Sequence, residues 1–224
     1  PVEMPLLSKV PAVMLAWYGG SEAGNAVARI LFGDVDPSGK LPCTFPKQLA
    51  DTPAAAFGAE AYPGVGGQVD YREGLLVGYR WYDTKKIAPL FPFGYGLSYT
   101  TFKYDNLKLL PGDHAKGIWL TAQFDVTNTG SRAGEEVAEL YVHENNPALS
   151  RPEQELKGFD KVSLQPGETA TLSIPLGFRA FSYYDPDKKG WVAQADDFQI
   201  LVGSSSRDIR LKGTFKLAEA SLYK

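Results

Sequence analysis

Hydrophobic positions along the chain change period once, near residue 99, from mixed strand-and-helix spacing to alternation. Val10–Trp17 (VPAVMLAW) is an unbroken apolar run, which predicts a strand buried on both faces. Gly19–Gly20 break it, and Ser21 stands at the N-cap position with Glu22 in the positive first turn. Ala23, Ala26, Val27, Ile30 and Leu31 recur at i, i+3, i+4, i+7 and i+8, predicting an amphipathic helix ended by Gly33. Asp34–Lys40 (DVDPSGK) is dense in turn formers and reads as a loop. Leu41–Phe45 predicts a short closing strand interrupted by Pro42, and the Ala/Gly/Pro-rich stretch Thr52–Val69 predicts a surface loop.

Beyond Tyr99 the period is two. Phe102–Leu110 alternates, and Ile118, Leu120, Ala122, Phe124 and Val126 alternate toward the turn Asn128–Gly130. Further strand candidates are Val137–His143, Gly158–Leu164, Ala170–Ile174, Trp191–Ala195, Phe198–Gly203 and Ile209–Leu217, separated by Gly, Pro, Asn and Asp clusters. Short strands at this spacing predict a β-sandwich of about 100 residues. No internal repeat or low-complexity tract interrupts the pattern.

Between the two patterns lies Tyr71–Phe102, YREGLLVGYRWYDTKKIAPLFPFGYGLSYTTF. Nine of these residues are aromatic, too much ring surface for a solvated linker. Gly74, Gly78, Gly94 and Gly96 sit between the rings, as expected of an extended chain bending over a packed surface. This stretch is predicted to be a structural strap, with Tyr79, Trp81, Tyr82, Phe91, Phe93 and Tyr95 mostly buried.

One strand and one helix cannot cover a buried parallel strand, which needs neighbours at its sides and layers on both faces. The first sixty residues therefore read as the tail of a domain whose other strands come from another polypeptide. The opening Pro1–Val2–Glu3, with neither initiator Met nor leader pattern, reads as a cut end. The 44% apolar content is ordinary for a globular protein, and a net charge of −3 gives no polybasic footprint for nucleic acid or anionic membrane. No apolar run approaches the roughly 20 residues needed to span a bilayer. Cys43 is the only cysteine, which excludes an intrachain disulfide and a cysteine metal cluster.

Candidate chemistry is sparse. Asp34 and Asp36 are the obvious carboxylate pair, but beside Pro37 and Gly39 they are expected to bond their own turn. Glu22 faces the carboxyl end of the predicted strand, where α/β sheets bind ligands, yet a helix start explains it equally well. Trp17 and Tyr18 at the same edge suit a sugar-stacking wall, with packing against the strap the preferred reading. Arg72 with Glu73, and Arg80 with Asp83, read as guanidinium–carboxylate clamps holding the strap. Glu135 and Glu136 read as solvated strand-end charges. His114 and His143 lack a partner at nucleophile or metal-ligand spacing and read as structural or surface residues. Gly64–Gly67 lacks the lysine and the strand–helix context of a phosphate loop. No catalytic residue, metal ligand or cofactor site is assigned, and no substrate-binding residue is identified.

Three stretches carry a family resemblance: AWYGGSEAGNAVARILFGDVDPSGKLPCTFP (Ala16–Pro46), GYRWYD with PFGYGLSYTTF in the strap, and RPEQELKGFDKVSLQPGE (Arg151–Glu168). Together they strongly resemble the C-terminal portion of glycoside hydrolase family 3 enzymes of the β-glucosidase and β-xylosidase type. The resemblance implies an α/β fragment, the end of an α/β sandwich domain, followed by an all-β fibronectin type III-like sandwich. The expected divisions are 1–60 for the incomplete α/β part, 61–98 for the strap and 99–224 for the sandwich. It further implies that the nucleophilic Asp lies in an N-terminal (β/α)₈ barrel and the acid/base Glu earlier in the α/β domain, with no counterpart of either here. The implied partner is an upstream polypeptide carrying that barrel and the rest of the α/β domain, and the implied substrate is a β-linked oligosaccharide or glucoside. A secreted or periplasmic setting is the family expectation. A stand-alone carbohydrate- or protein-binding sandwich is the alternative, disfavoured by the half domain that such a module would have no reason to keep.

Overall fold

Residues 4–223 of the chain are described by its computed structural model. The alternating stretches become strands: β1 Phe102–Pro111, β2 Ile118–Asn128, β3 Gly134–Glu144, β4 Glu155–Leu164, β5 Thr169–Gly177, β6 Tyr183–Asp185, β7 Gly190–Ala193, β8 Asp196–Ser205, β9 Asp208–Leu217 and β10 Ser221–Tyr223. A three-stranded sheet β1-β2-β5 faces a four-stranded sheet β4-β3-β8-β9, with all pairings antiparallel. A small sheet β10-β7-β6 closes one end. Its outer strands β6 and β10 were not anticipated, because three residues are too few for alternation to show.

The inward residues of both large sheets form one core. Leu120, Ala122, Phe124 and Val126 of β2 meet Ala138, Leu140 and Val142 of β3 and Phe198, Ile200 and Val202 of β8. Strands β3 and β8 are buried on their outer face as well, where Glu139, Tyr141 and Leu201 lie under the strap. An antiparallel sheet usually leaves that face to water. Here the strap covers it.

The strap is not extended throughout. Tyr79–Thr84 forms helix α3, entered through Gly78 at φ 58°. Downstream, the chain pairs with the segment expected to be a closing strand. Phe45 and Phe91 form an antiparallel bridge, the Leu41 amide donates to the Tyr95 carbonyl (2.9 Å), and the Gly94 amide donates to the Leu41 carbonyl (2.9 Å). Leu41–Phe45 is thus a hook on the strap rather than a strand of the α/β sheet. Trp81 and Tyr82 are buried as expected, whereas Tyr79, Phe91, Phe93 and Tyr95 are half-buried.

Buried Asn128 ties strap to sandwich. Its Oδ1 accepts from Thr100 Oγ1 (2.7 Å) and the Gly130 amide (3.1 Å), and its Nδ2 donates to the Arg132 (2.7 Å) and Leu164 (3.0 Å) carbonyls. Every polar atom of the amide is satisfied, which is what lets it sit in a core.

The N-terminal part contains helix α1, Ala23–Leu31. It begins after a 3₁₀ turn at Gly20–Glu22, so Glu22 rather than Ser21 occupies the N-cap position, without a side-chain capping bond. Gly33 follows the helix at φ 79°, the left-handed conformation expected at its end. Tyr99 Oη donates to the Ile30 carbonyl (2.9 Å) and Arg132 to the Gly33 carbonyl, so the helix end is moored to the strap and the sandwich. Val10–Trp17 is not a strand: it pairs with none among the described residues and is exposed throughout. A both-faces-buried strand requires neighbours that these residues do not supply. Thr52–Val69 holds a short helix, α2 Pro53–Ala56, that the loop reading missed; Thr52 caps it by accepting from the Ala55 amide (3.3 Å), with Pro53 at the first position.

A hydrogen-exchange experiment on this chain as a monomer is expected to show strong protection in β2, β3 and β8 and weak protection across Ala12–Leu31, where no residue is buried. Uniform strong protection of Ala12–Leu31 would mean that this region closes a core by itself.

Candidate functional site

Of the polar groups singled out in the sequence, Asp36, Arg80, Asp83, Glu135 and Glu136 converge on one place, the seam where the strap and the DVDPSGK loop meet the four-stranded sheet. At one end, Asp83 of α3 is paired with Arg207 in the turn between β8 and β9. Gln154 Nε2 donates to the second Asp83 oxygen (3.1 Å), and Arg207 Nη2 also donates to the Tyr82 and Ile87 carbonyls (2.9 and 3.0 Å). Burial pushes the Asp83 carboxyl up from its ordinary range, with Arg207 and Gln154 pulling against it. Tyr79 Oη accepts from the Leu156 amide (2.7 Å), and Arg80 reaches Glu155 at 3.4 Å. Arg151 then bridges Glu155 and buried Glu144. Burial raises the Glu155 carboxyl, but Lys157, Arg151 and Arg80 outweigh it and hold it below the ordinary range.

The clamp reading therefore holds in kind and fails in partners. Arg80 pairs with Glu155 and Asp83 with Arg207, not with each other. Arg72 pairs with Glu60 and Asp70 instead of Glu73. Arg80 and Asp83 stand three apart on a six-residue helix, a spacing that allows a pair, yet each finds a charge more than seventy residues away in the sandwich.

At the centre, Glu139 lies beneath Gly94, and Tyr141 Oη donates to its Oε2 (2.5 Å). A Cβ at Gly94 would lie 2.3 and 2.6 Å from the two Glu139 oxygens, so only glycine fits there. Burial pushes the Glu139 carboxyl up to about 7, against the opposing pull of Tyr141 and Lys40.

At the other end, Glu136 accepts from Tyr104 Oη (2.8 Å) and pairs with Lys40 of the loop (3.2 Å). Its neighbour Glu135 pairs with Lys161 (2.5 Å) and accepts from Ser38 (3.1 Å), and Lys161 holds it below the ordinary carboxylate range. Glu136 is thus a buried anchor and not a solvated strand end, because loop and strap close over that end of β3. Asp36 does not serve its own turn. It accepts from Ser98 Oγ (2.8 Å) and the Tyr99 amide (2.6 Å), fastening the loop to the end of the strap. An open cleft of about 410 Å³ runs along this end, lined by Lys40, Tyr95, Ser98, Glu136, Asp208 and Arg210 among others. The Arg210 guanidinium holds Asp208 below its ordinary range and covers the Tyr104 ring at 4.8 Å.

The remaining candidates lie elsewhere. Glu22 accepts from Asn25 (2.6 Å) at the start of α1. Tyr18 is 100% exposed and so does not pack on the strap, Trp17 is 52% exposed, and the strap's Trp81 and Phe91 pack on Phe57 and Phe45 instead. His143 Nδ1 lies 2.5 Å from the Glu153 carbonyl, and His114 stacks on Trp119. Gly64–Gly67 forms a tight turn closed by the Val65–Gln68 bridge. Among the described residues, no group of three or more His, Cys, Asp or Glu side chains is arranged to hold a metal ion, and no helix is long and apolar enough to cross a membrane.

Chemically, the seam is a set of charge-assisted bonds that join segments distant in sequence. Glu136 and Glu139 stand three residues apart on one strand and so project to opposite faces of the sheet. Such a seam, joining the end of an α/β domain to a fibronectin type III-like sandwich, defines a class of protein architecture rather than a reaction. Residues 1–99 match the glycosyl hydrolase family 3 C-terminal domain, and residues 136–206 match the fibronectin type III-like domain. The chain is 46% identical over 217 residues to thermostable beta-glucosidase B of Acetivibrio thermocellus, covering 97% of this chain and 28% of that protein. It is 47% identical over 210 residues to a beta-glucosidase of Rhizobium radiobacter, covering 94% of this chain and 26% of that protein. Among solved structures, beta-glucosidase 3B from Thermotoga neapolitana in complex with alpha-D-glucose superposes with a TM-score of 0.91 at 39% identity, over 100% of this chain and 31% of that one. The chain belongs to glycoside hydrolase family 3, and it corresponds to the C-terminal part of these beta-glucosidases.

Proposed function

We propose that the chain is the C-terminal, non-catalytic part of a retaining exo-β-glycosidase, a β-glucosidase that removes terminal β-linked glucose from oligosaccharides or glucosides. The observation that carries this reading is the match along nearly the whole chain to beta-glucosidases of which it spans little more than a quarter. Residues 1–60 complete an α/β domain supplied mainly by an upstream polypeptide that also carries a (β/α)₈ barrel. Residues 61–98 strap that domain to the sandwich of residues 99–224. The apolar stripe of α1, half-buried at Ala23, Val27 and Ile30 and 65% exposed at Leu31, and the unpaired Val10–Trp17 support this division, since both need a covering layer.

Retaining hydrolysis needs two carboxyl groups about 5–5.5 Å apart on either side of one glycosidic oxygen. Asp36 is bonded to Ser98 and Tyr99, and Glu136 to Tyr104 and Lys40, so each is engaged in holding the seam. No residue of this chain is assigned to catalysis. The test is activity on an aryl β-glucoside. The chain alone is expected to be inactive, and the chain with the upstream portion is expected to release glucose with retention of configuration. In that assembly Asp34→Asn and Asp36→Asn should leave the rate within a few-fold. Turnover by the purified chain, or a collapse of rate by orders of magnitude in either variant without unfolding, would overturn the assignment.

A further inference from the structure

A carboxyl at Glu139 is an unusual thing to place under a strap. The residue stands on the outer face of β3, where alternation normally puts solvated side chains, and it is 4% exposed. Gly94 seals it: the strap backbone lies so close that neither a methyl group nor a water fits between Gly94 and the carboxyl. The same turn is pinned on both sides. The Gly94 amide donates to the Leu41 carbonyl (2.9 Å), the Leu41 amide to the Tyr95 carbonyl (2.9 Å), and the Ser206 amide to the Phe93 carbonyl (3.0 Å).

The groups facing Glu139 from each packed element are few. Its own strand supplies the Tyr141 phenol, the only hydrogen-bond donor to it among the described residues, and Glu136, which repels its charge. The loop supplies Lys40, which is already paired with Glu136 at 3.2 Å. Strands β4 and β8 place uncharged Phe159 and Gly203 opposite it. The strap supplies the Gly94 backbone, and α3 supplies the Tyr79 ring, packed on Tyr141 at 5.8 Å. A neutral acid is adequately served by one phenol. A carboxylate is not, since it wants more donors or water.

We propose that Glu139 is a proton-operated latch: its neutral acid seats the Phe93–Gly94–Tyr95 turn on the sandwich, and its ionised form lifts that turn to admit water. The sign follows from linkage. Burial raises the folded-state carboxyl from 4.5 to about 7, so the folded state binds the extra proton. Docking is then tightest below 4.5, weakens as pH rises through the interval, and is weakest above about 7. This is opposite to a salt-bridged carboxylate such as Asp208, whose contribution is lost in acid. The device would couple the hook at Leu41–Phe45, and through it the α/β part, to acidity.

Two measurements on the intact chain test it. The first follows the Glu139 carboxyl by carbon NMR from pH 4 to 8, with a midpoint near 7 expected. The second follows exchange of the Leu41, Gly94 and Ser206 amides, corrected for intrinsic rate and referenced to Phe124 in β2. Their opening should increase on the order of 100-fold between pH 4.5 and 7.5 in the native chain. In Glu139→Gln, an uncharged isostere of the neutral acid, it should stay flat. A midpoint near 4.5 in the folded chain would overturn the proposal, whether or not the variant folds. So would a Glu139→Gln chain that keeps the native pH dependence.

Discussion

Replacing Trp81 with alanine is expected to cost about 3–5 kcal/mol, the usual range for removing a buried large aromatic. Trp81 is 6% exposed and has Phe57 at 5.7 Å, Lys85 over the ring at 5.5 Å, and the Asp51 carbonyl, which accepts from Nε1 at 3.0 Å. Truncation leaves a cavity and orphans that carbonyl in the same step. At roughly 2–4 °C per kcal/mol for a chain of this size, the melting temperature should fall by about 10 °C. Protease cleavage between residues 57 and 78 should rise in parallel, since α3 would lose its hold on the 49–57 segment. Trp81→Phe keeps most of the ring and should recover much of the loss. An unchanged melting temperature and cleavage pattern in Trp81→Ala would reduce the strap to a linker.

The large effect expected at Trp81 follows from a property visible in the sequence, namely too many rings for a solvated segment. The sandwich was equally visible, because strands such as β2 and β5 bury every second residue, β2 from Leu120 to Asn128. What was not visible is where that rule fails. Glu139 sits at a position that alternation and charge both assign to water, and charge alone does the same for Glu136; they are buried because the strap covers the first and the Lys40 loop and the strap's end close over the second. The pairings of Arg80 and Asp83 were illegible for the same reason. Local spacing offers each a partner three residues away, while the fold offers a better one from the sandwich. One signal was available: Gly94 and Gly96 among bulky rings mark close approach of the backbone to something, though not to what. The Val10–Trp17 run shows the reverse case, a strand pattern written for neighbours that these residues do not contain.

The other large effect is expected at Arg207. Asp83 has a side chain only 5% exposed, and Arg207 is its charged partner, itself 36% exposed. Removing one member of a buried pair leaves the other desolvated and uncompensated, a loss of about 3–5 kcal/mol when both are buried. Solvent around Arg207 reduces that to about 2–3 kcal/mol. Arg207→Met, which keeps the packing of the stem, should therefore destabilise the chain by that amount near pH 7. Gln154 Nε2 would remain as a donor to Asp83, and the Tyr82 and Ile87 carbonyls would lose theirs. The pH dependence separates charge from packing. Burial already raises the Asp83 carboxyl despite Arg207, and without the guanidinium it should rise further, so that the folded state takes up a proton more readily than the unfolded one. The deficit of Arg207→Met should then shrink as pH falls, and adding Asp83→Asn to it should restore part of the stability at pH 7. Denaturant melts of the native chain, both single variants and the double variant at two pH values give the coupling directly. A deficit that is the same at both pH values, with no recovery in the double variant, would mean that Arg207 holds α3 through the Tyr82 and Ile87 carbonyls alone.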